Sequence, residues 1–278
     1  MAIILTQKML TKRLGFLIVL AVASSCALPF VEQEKSVRVL VYNIHAGKDA
    51  GGQPNLAEVA RLILAHAADV VLLQEVDRGT KRSGGVDQLQ VLMDATEFDG
   101  VFGRTLDYDG GAYGIAALSR DGFGYQDTVP LQVVPAQARA GGSHEPRGAL
   151  VTVVHTPFGR WQAITTHLDA SAGDELRQQE AEELREILRM RRAAGLPLML
   201  GGDMNATPDS AVIKNVLGFG LRDAWTECGK GDGLTYPAGK PIKRIDYLFL
   251  TGALRCTSAE VIDTQASDHR PLLVTVVQ

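Results

Sequence analysis

Six apolar runs in this 278-residue chain begin or end on a carboxylate, an amide or an imidazole. "VRVLVYNIH" ends on Asn43 and His45, and "DVVLLQEVD" carries Gln74 and Glu75 near its end. "WQAITTHLD" closes on His167, and "PLMLGGDMN" on Asp203 and Asn205. "RIDYLFL" opens with Asp246, and "SDHRP" sets Asp268 and His269 ahead of the last run. Short runs rich in Val, Ile and Leu, bounded by turn residues, read as buried strands. A polar group at one strand end is ordinary. Polar groups at six strand ends point to one rim where they meet. "GGDMN" leaves two readings open. Asp203 and Asn205 lie two positions apart, so an extended backbone would project them from the same face. Gly, Asp and Asn are also the residues of a plain turn.

The rest of the chain supplies helices between the strands. Asn55 and Glu58 have the spacing of a capping box, ahead of a helix with Leu56, Val59, Leu62, Ile63 and Ala67 on one face. "GVDQLQVLMDAT" predicts a second helix with Leu89, Leu92 and Met93 inward. "DELRQQEAEELREILRMRRAAG" predicts a long amphipathic one, with Leu184, Ile187 and Leu188 buried and Gly195 at its stop. "PDSAVIKNVLG" predicts a short helix with Pro208 near its start. Further strands are expected at 113–120, 147–155, 161–169, 244–250 and 270–277. Early helices alternate with strands, and the middle of the chain reads as hairpins. A mixed sheet system in one domain, 37–278, follows, because no Pro/Gly/Ser linker divides it.

Residues 1–26 have a different composition. Lys8, Lys12 and Arg13 precede an apolar run from Leu14 to Ala23, followed by small residues and Cys26. That order is the order of an export signal, and the run is short for a membrane span. "ASSC" is similar to a lipoprotein signal, in which Cys26 would carry the lipid and tie the protein to a membrane. Residues 27–36 read as a short connector. Export implies an oxidising compartment, in which Cys228 and Cys256 either pair or remain two buried thiols. The formal charge is −4, and the first 26 residues hold three basic and no acidic side chains, so the remainder is more acidic still. That balance argues against a sequence-independent binder of duplex DNA.

In chain order, "YNIH", "QEV", "YGIAALSR", "TTHL", "GDMN", "RIDYLF" and "SDHRP" resemble the endonuclease/exonuclease/phosphatase superfamily. The resemblance runs from Val37 to the C-terminus. It implies the DNase I-like α/β fold, a four-layer sandwich of two mixed sheets face to face with helices outside. It also implies a phosphoesterase that uses Mg²⁺ or Mn²⁺. Hydrolysis of a phosphoester must neutralise phosphoryl oxygens and stabilise the leaving oxygen, and a hard cation on oxygen ligands does both. By resemblance, Glu75 is the principal metal ligand, with Asn43 beside it and Asp268 completing the site. Asp203 orients or deprotonates the attacking water, and Asn205 holds a phosphoryl oxygen or the nucleophile. His269 pairs with Asp246, which favours its charged form, and His167 is a second donor to the phosphate. Taken singly, each has an ordinary explanation: Glu75 as a solvated strand end, His167 as a core histidine, Asp246 as a partner of Arg244.

A second group of residues is expected to touch substrate. Arg78, with Lys81 and Arg82, lies in "DRGTKRSGG", either a flexible phosphate-gripping lip or a plain loop. Tyr113 and Arg147 match groove-facing positions in relatives. His66, His144 and His155 match no motif. No G-x-S-x-G, H-E-x-x-H or Walker-type loop is present. The expected substrate is a phosphodiester that is small or lipid-borne, met outside the cytoplasm by a monomeric enzyme. An extracellular nuclease and a non-catalytic binding protein on the same fold are the alternatives.

Overall fold

Side-chain alternation along the strands sorts the apolar residues into three cores. The computed structural model describes residues 35–137 and 144–278. The chain opens with β1 (Val37–Asn43), α1 (Leu56–Ala65), β2 (Val70–Arg78), α2 (Gln88–Thr96), β3 (Asp99–Tyr108) and β4 (Gly111–Ser119). It continues through β5 (Phe123–Leu131), β6 (Arg147–Thr156), β7 (Gly159–His167), α3 (Glu175–Arg192) and β8 (Leu198–Asp203). The last elements are α4 (Ala211–Gly218), β9 (Arg222–Asp223), α5 (Ala224–Cys228), β10 (Asp246–Leu250), β11 (Arg255–Val261) and β12 (Leu272–Val277).

Two six-stranded sheets result, ordered β11-β12-β1-β2-β4-β3 and β5-β6-β7-β8-β10-β9. Both are mixed, since β1–β2 and β7–β8 run parallel and the other pairs antiparallel. Val39 and Val41 of β1 and Leu72 of β2 meet Ala163, Met199 and Leu248 of the second sheet. Leu40, Tyr42, Val71 and Leu73, on the opposite face, meet Val59 and Ile63 of α1 and Leu89 and Leu92 of α2. On the far side, Ile164, Leu198 and Leu200 meet Leu184, Ile187 and Leu188 of α3 and Val212 and Val216 of α4. Helices, sheet, sheet and helices make the four layers of the DNase I-like fold. Lys35–Gln278 forms one compact unit. The export signal expected in 1–26, with Cys26, and nearly all of the 27–36 connector lie outside the described residues.

Several local expectations differ from the structure. Asn55 makes no side-chain cap on α1. Its Nδ2 donates instead to the carbonyls of Ile44, Lys48 and Ala266, at 3.0, 2.8 and 2.6 Å. The Ile44 and Ala266 carbonyls are buried and would lack this donor without it. Glu58 turns to Arg61. Ala67 lies beyond α1, exposed, with φ of 46°. Ser210 caps α4 by accepting the Ile213 N–H, so Pro208 belongs to the preceding turn. Strands β3, β5, β9 and β11 have no counterpart in the sequence reading. Cys228 and Cys256 form a disulfide, their Cα atoms 5.8 Å apart, inside the range the bond requires.

Candidate active site

Three neighbouring strands of the second sheet place His167, Asp203 and Asp246 in one row. Asp203 ends β8, in register with His167 of parallel β7 and Asp246 of antiparallel β10. The first sheet brings Asn43 and Gln74, paired across β1 and β2. Gln74 crosses between the sheets to Thr165 Oγ1 at 3.0 Å, and Asn43 crosses to Asp203. The two glycines of "GGDMN" permit this approach. A Cβ on Gly201 would crowd Leu72 Cδ1 at 2.8 Å and Val41 Cγ2 at 3.0 Å across the sandwich. A Cβ on Gly202 would overlap the carbonyl of Thr166 on β7.

Glu75 reaches the rim through a bulge. Leu73 pairs with Ala116 and Val76 with Gly114, so Gln74 and Glu75 together oppose one residue of β4. Such a two-for-one step bends a strand and re-aims a side chain. Glu75 takes a φ of +57°, unusual outside glycine. Asn205 has a φ of +46°, and its N–H donates to Asp203 Oδ1 at 2.8 Å. "GGDMN" is therefore both a turn and part of the site. The turn is held by the same carboxylate that faces the cavity.

Asp203 Oδ2 is the hub. Asn43 Nδ2 donates to it at 3.1 Å, while His167 Nε2 stands 3.5 Å away and His269 Nε2 3.6 Å. Burial raises the Asp203 pKa to about 7, against the pull of His269 and with a further push from Asp246. Asp246 Oδ2 holds His269 Nδ1 at 2.9 Å. Burial alone would lower the His269 pKa, but Asp246, Asp203 and Asp268 outweigh it and lift the value to about 10. His167 goes the other way: burial, then the charges of Arg147 and His269, push it well below its ordinary range.

Glu75, His167, Asp203, Asn205, Asp268 and His269 line one cavity of about 430 Å³, together with Arg147, Tyr236 and Lys243. Asn43 lies behind it, with Nδ2 also donating to Glu75 Oε1 at 3.0 Å. Its oxygen accepts the His45 N–H at 3.0 Å. Asn43 thus presents a donor to two carboxylates, one on each sheet. Asp246 supports His269 from beneath.

The expected substrate-binding group divides. Arg147 lines the cavity. Tyr113 is buried beside it, its phenol pushed well up by burial and then by Glu75. Arg78 turns away to Asp87 at 2.8 Å and lies over Phe102. Arg82 folds back on Asp77 with two bonds of 2.7 Å and stacks on Tyr108. The end of β2 and the loop after it are thus pinned by the Arg78–Asp87 and Arg82–Asp77 ion pairs. Sequence reasoning missed Tyr236, whose ring leans on His269 with centroids 4.8 Å apart. It also missed Ser267, whose hydroxyl donates to the Asn43 carbonyl at 2.7 Å and ties the "SDH" loop to β1. Ser267 was visible as part of that motif, whereas Tyr236 sits in irregular chain with no pattern to mark it. His66, His144 and His155 do not line the cavity.

Two acidic groupings are available to a cation. Ligand atoms of Asp203, Asp246 and His269 lie within 4.8 Å of one another, a spacing that could hold a metal. There, however, His269 Nδ1 is already engaged by Asp246 Oδ2 at 2.9 Å, and all three side chains are buried. Glu75 and Asp268 are half-buried and open to the cavity. Among the described residues neither has a Lys or Arg within ion-pair distance, and Asp268 has only His45 at 3.8 Å. Two carboxylates facing a cavity without such a counter-charge fit a divalent cation on oxygen ligands.

A two-sheet sandwich with a carboxylate, amide and imidazole rim at its strand ends defines a phosphoesterase or nuclease class of hydrolase. Residues 40–269 match the family model for the endonuclease/exonuclease/phosphatase family, and the chain belongs to that family. Its members include phosphatases and nucleases and commonly depend on a divalent metal. Over 259 residues the chain is 25% identical to the uncharacterized protein YbhP of Escherichia coli K12, covering 88% of this chain and 98% of that one. A Bacteroides thetaiotaomicron mannosyl-6-phosphatase superposes with a TM-score of 0.73 at 20% identity, covering 87% of this chain and all of that one. The human Nocturnin catalytic domain, solved with sulfate, gives 0.67 at 21% identity over 87% of this chain and 94% of its own. At these identities the two structures show the shared fold.

Proposed function

We propose that this chain is a Mg²⁺- or Mn²⁺-dependent phosphodiesterase acting outside the cytoplasm on lipid headgroups or other small phosphodiesters. The observation that carries the reading is the convergence of Glu75, Asp203, Asn205, His167 and His269 on one cavity. The cation supplies neutralisation of phosphoryl oxygens and of the leaving oxygen. Glu75 and Asp268 would hold it. Asp203, with its pKa near neutrality, is matched to taking a proton from the attacking water. Asn43 steadies that carboxylate. His269, kept cationic by Asp246, donates to a phosphoryl oxygen as charge builds there, and Asn205 and His167 add neutral donors.

The small cavity and the acidic chain favour a compact phosphoester over a long nucleic acid. The signal-like 1–26 segment and the Cys228–Cys256 disulfide support export, and a lipid on Cys26 would add membrane association. A monomer is the form expected of it. The test is hydrolysis of bis-(p-nitrophenyl) phosphate with Mg²⁺ or Mn²⁺. Activity is expected with the metal, lost on chelation, and reduced at least about a thousandfold in Asp203→Ala. A panel of phospholipid, sugar phosphate, inositol phosphate and DNA then sets the substrate class. Preferential cleavage of DNA, with a steep fall as salt rises, would favour the nuclease alternative.

A further inference from the structure

We infer that Arg147 sets the tautomer of His167, and so makes the cavity-facing side of that ring a hydrogen-bond donor. The β6–β7 pairing brings the two together: Ala149 stands opposite Thr166, which puts the start of β6 beside the end of β7. Arg147 Nη1 lies 3.0 Å from His167 Nδ1, and both side chains are buried. A guanidinium does not lose its proton in proteins and has no acceptor. Nδ1 therefore accepts there, because the bond from a charged guanidinium is stronger than one from the neutral Asn205 amide at the other ring nitrogen. A neutral imidazole has one N–H, which then sits on Nε2. Burial and the Arg147 charge oppose a second proton on the ring. Glu145 Oε1, 2.8 Å from Nη1, balances the guanidinium.

The consequence lies at Nε2. It stands 3.1 Å from Asn205 Nδ2, which also donates to the Leu168 carbonyl at 3.0 Å. That second bond fixes which end of the amide faces the ring. Two N–H groups therefore face each other, and Asp203 Oδ2 at 3.5 Å satisfies the ring only loosely. An anionic oxygen entering between them would accept from both. On the phosphoesterase reading, that oxygen is a phosphoryl oxygen. The two histidines around Asp203 then differ in kind. His269 faces a carboxylate through Nδ1, whereas His167 faces a guanidinium through Nδ1 and is a neutral donor at Nε2. Arg147 is a positioning residue in this scheme.

The tautomer is tested without substrate, by ¹⁵N NMR of the histidine rings, with His167 assigned from its loss in His167→Ala. Wild type is expected to show a pyridine-like Nδ1 and a pyrrole-like Nε2. Arg147→Lys should keep that pattern, and Arg147→Met should mix the tautomers or protonate the ring. A wild-type Nδ1–H tautomer or imidazolium overturns the inference, as does an unchanged pattern in folded Arg147→Met. If Arg147→Met fails to fold, the wild-type and Arg147→Lys spectra still decide. Turnover of bis-(p-nitrophenyl) phosphate gives the second arm. Arg147→Met and His167→Ala should each lower kcat about 100-fold with little change in KM, and the double variant should fall no more than about twofold below the worse single one. Losses that multiply would mean that Arg147 acts on substrate directly and would overturn the positioning role. Absence of all phosphoesterase activity would refute the functional reading and leave the spectra to judge the tautomer.

Discussion

Asp246 does not line the cavity, yet it sets the charge of a residue that does. Its carboxylate lies 2.9 Å from His269 Nδ1 and helps hold that ring protonated to about pH 10. Activity that requires the imidazolium should be lost only as pH rises through that value. Asp246→Asn removes a negative charge that favours the cation, so the His269 pKa falls. The basic limb of the kcat/KM profile should move to lower pH by at least about one unit, and an unmoved limb would show that His269 is not the group titrating. At this scale the sequence disclosed most of the rim, because carboxylates and histidines at strand ends are conspicuous among Val, Leu and Ile. Atom-level roles were hidden. Nothing in "YNIH" says that the Asn43 oxygen is taken by a backbone N–H and that its nitrogen serves two carboxylates. Arg147 and His167 were each singled out, but their pairing appears only once the β6–β7 register is known.

The eight strands read from the sequence are the eight interior strands, and the four missed are the four sheet edges: β3, β5, β9 and β11. The reason is physical. Interior strands bury both faces against helices and the opposite sheet, so they read as apolar runs. Edge strands carry the polar side chains that discourage pairing with other molecules. "FGYQDTVPL" of β5 has one buried residue, and "RCTSAEV" of β11 has one. The predicted capping box at Asn55 failed for a related reason. Local spacing cannot register a demand from distant carbonyls such as that of Ala266. Close strand approach gives this scale its test. Gly202→Ala forces a Cβ against the Thr166 carbonyl and should cost about 3 kcal/mol or more in denaturant unfolding, with loss of activity as the Asp203 row shifts. A neutral effect would mean that β7 and β8 are less tightly apposed than the structure has them.

Across the molecule, α5 is tied to β11 by the Cys228–Cys256 disulfide, which spans 28 residues. Closing a loop of that size in the unfolded chain stabilises the native state by about 3 kcal/mol. Cys228→Ser/Cys256→Ser should lower the unfolding free energy by about that amount, measured against the oxidised protein, and should leave kcat unchanged because neither cysteine lines the cavity. Equal stability of the two proteins would contradict the pairing.

Side chains from both sheets are proposed to converge on a divalent cation at the sandwich rim. Anomalous diffraction from crystals of the protein soaked in Mn²⁺ would locate that cation. A manganese peak is expected within bonding distance of a Glu75 carboxylate oxygen, with Asp268 beside it and His269 unligated. No peak in the cavity, or a peak bound by His269 between Asp203 and Asp246, would contradict it.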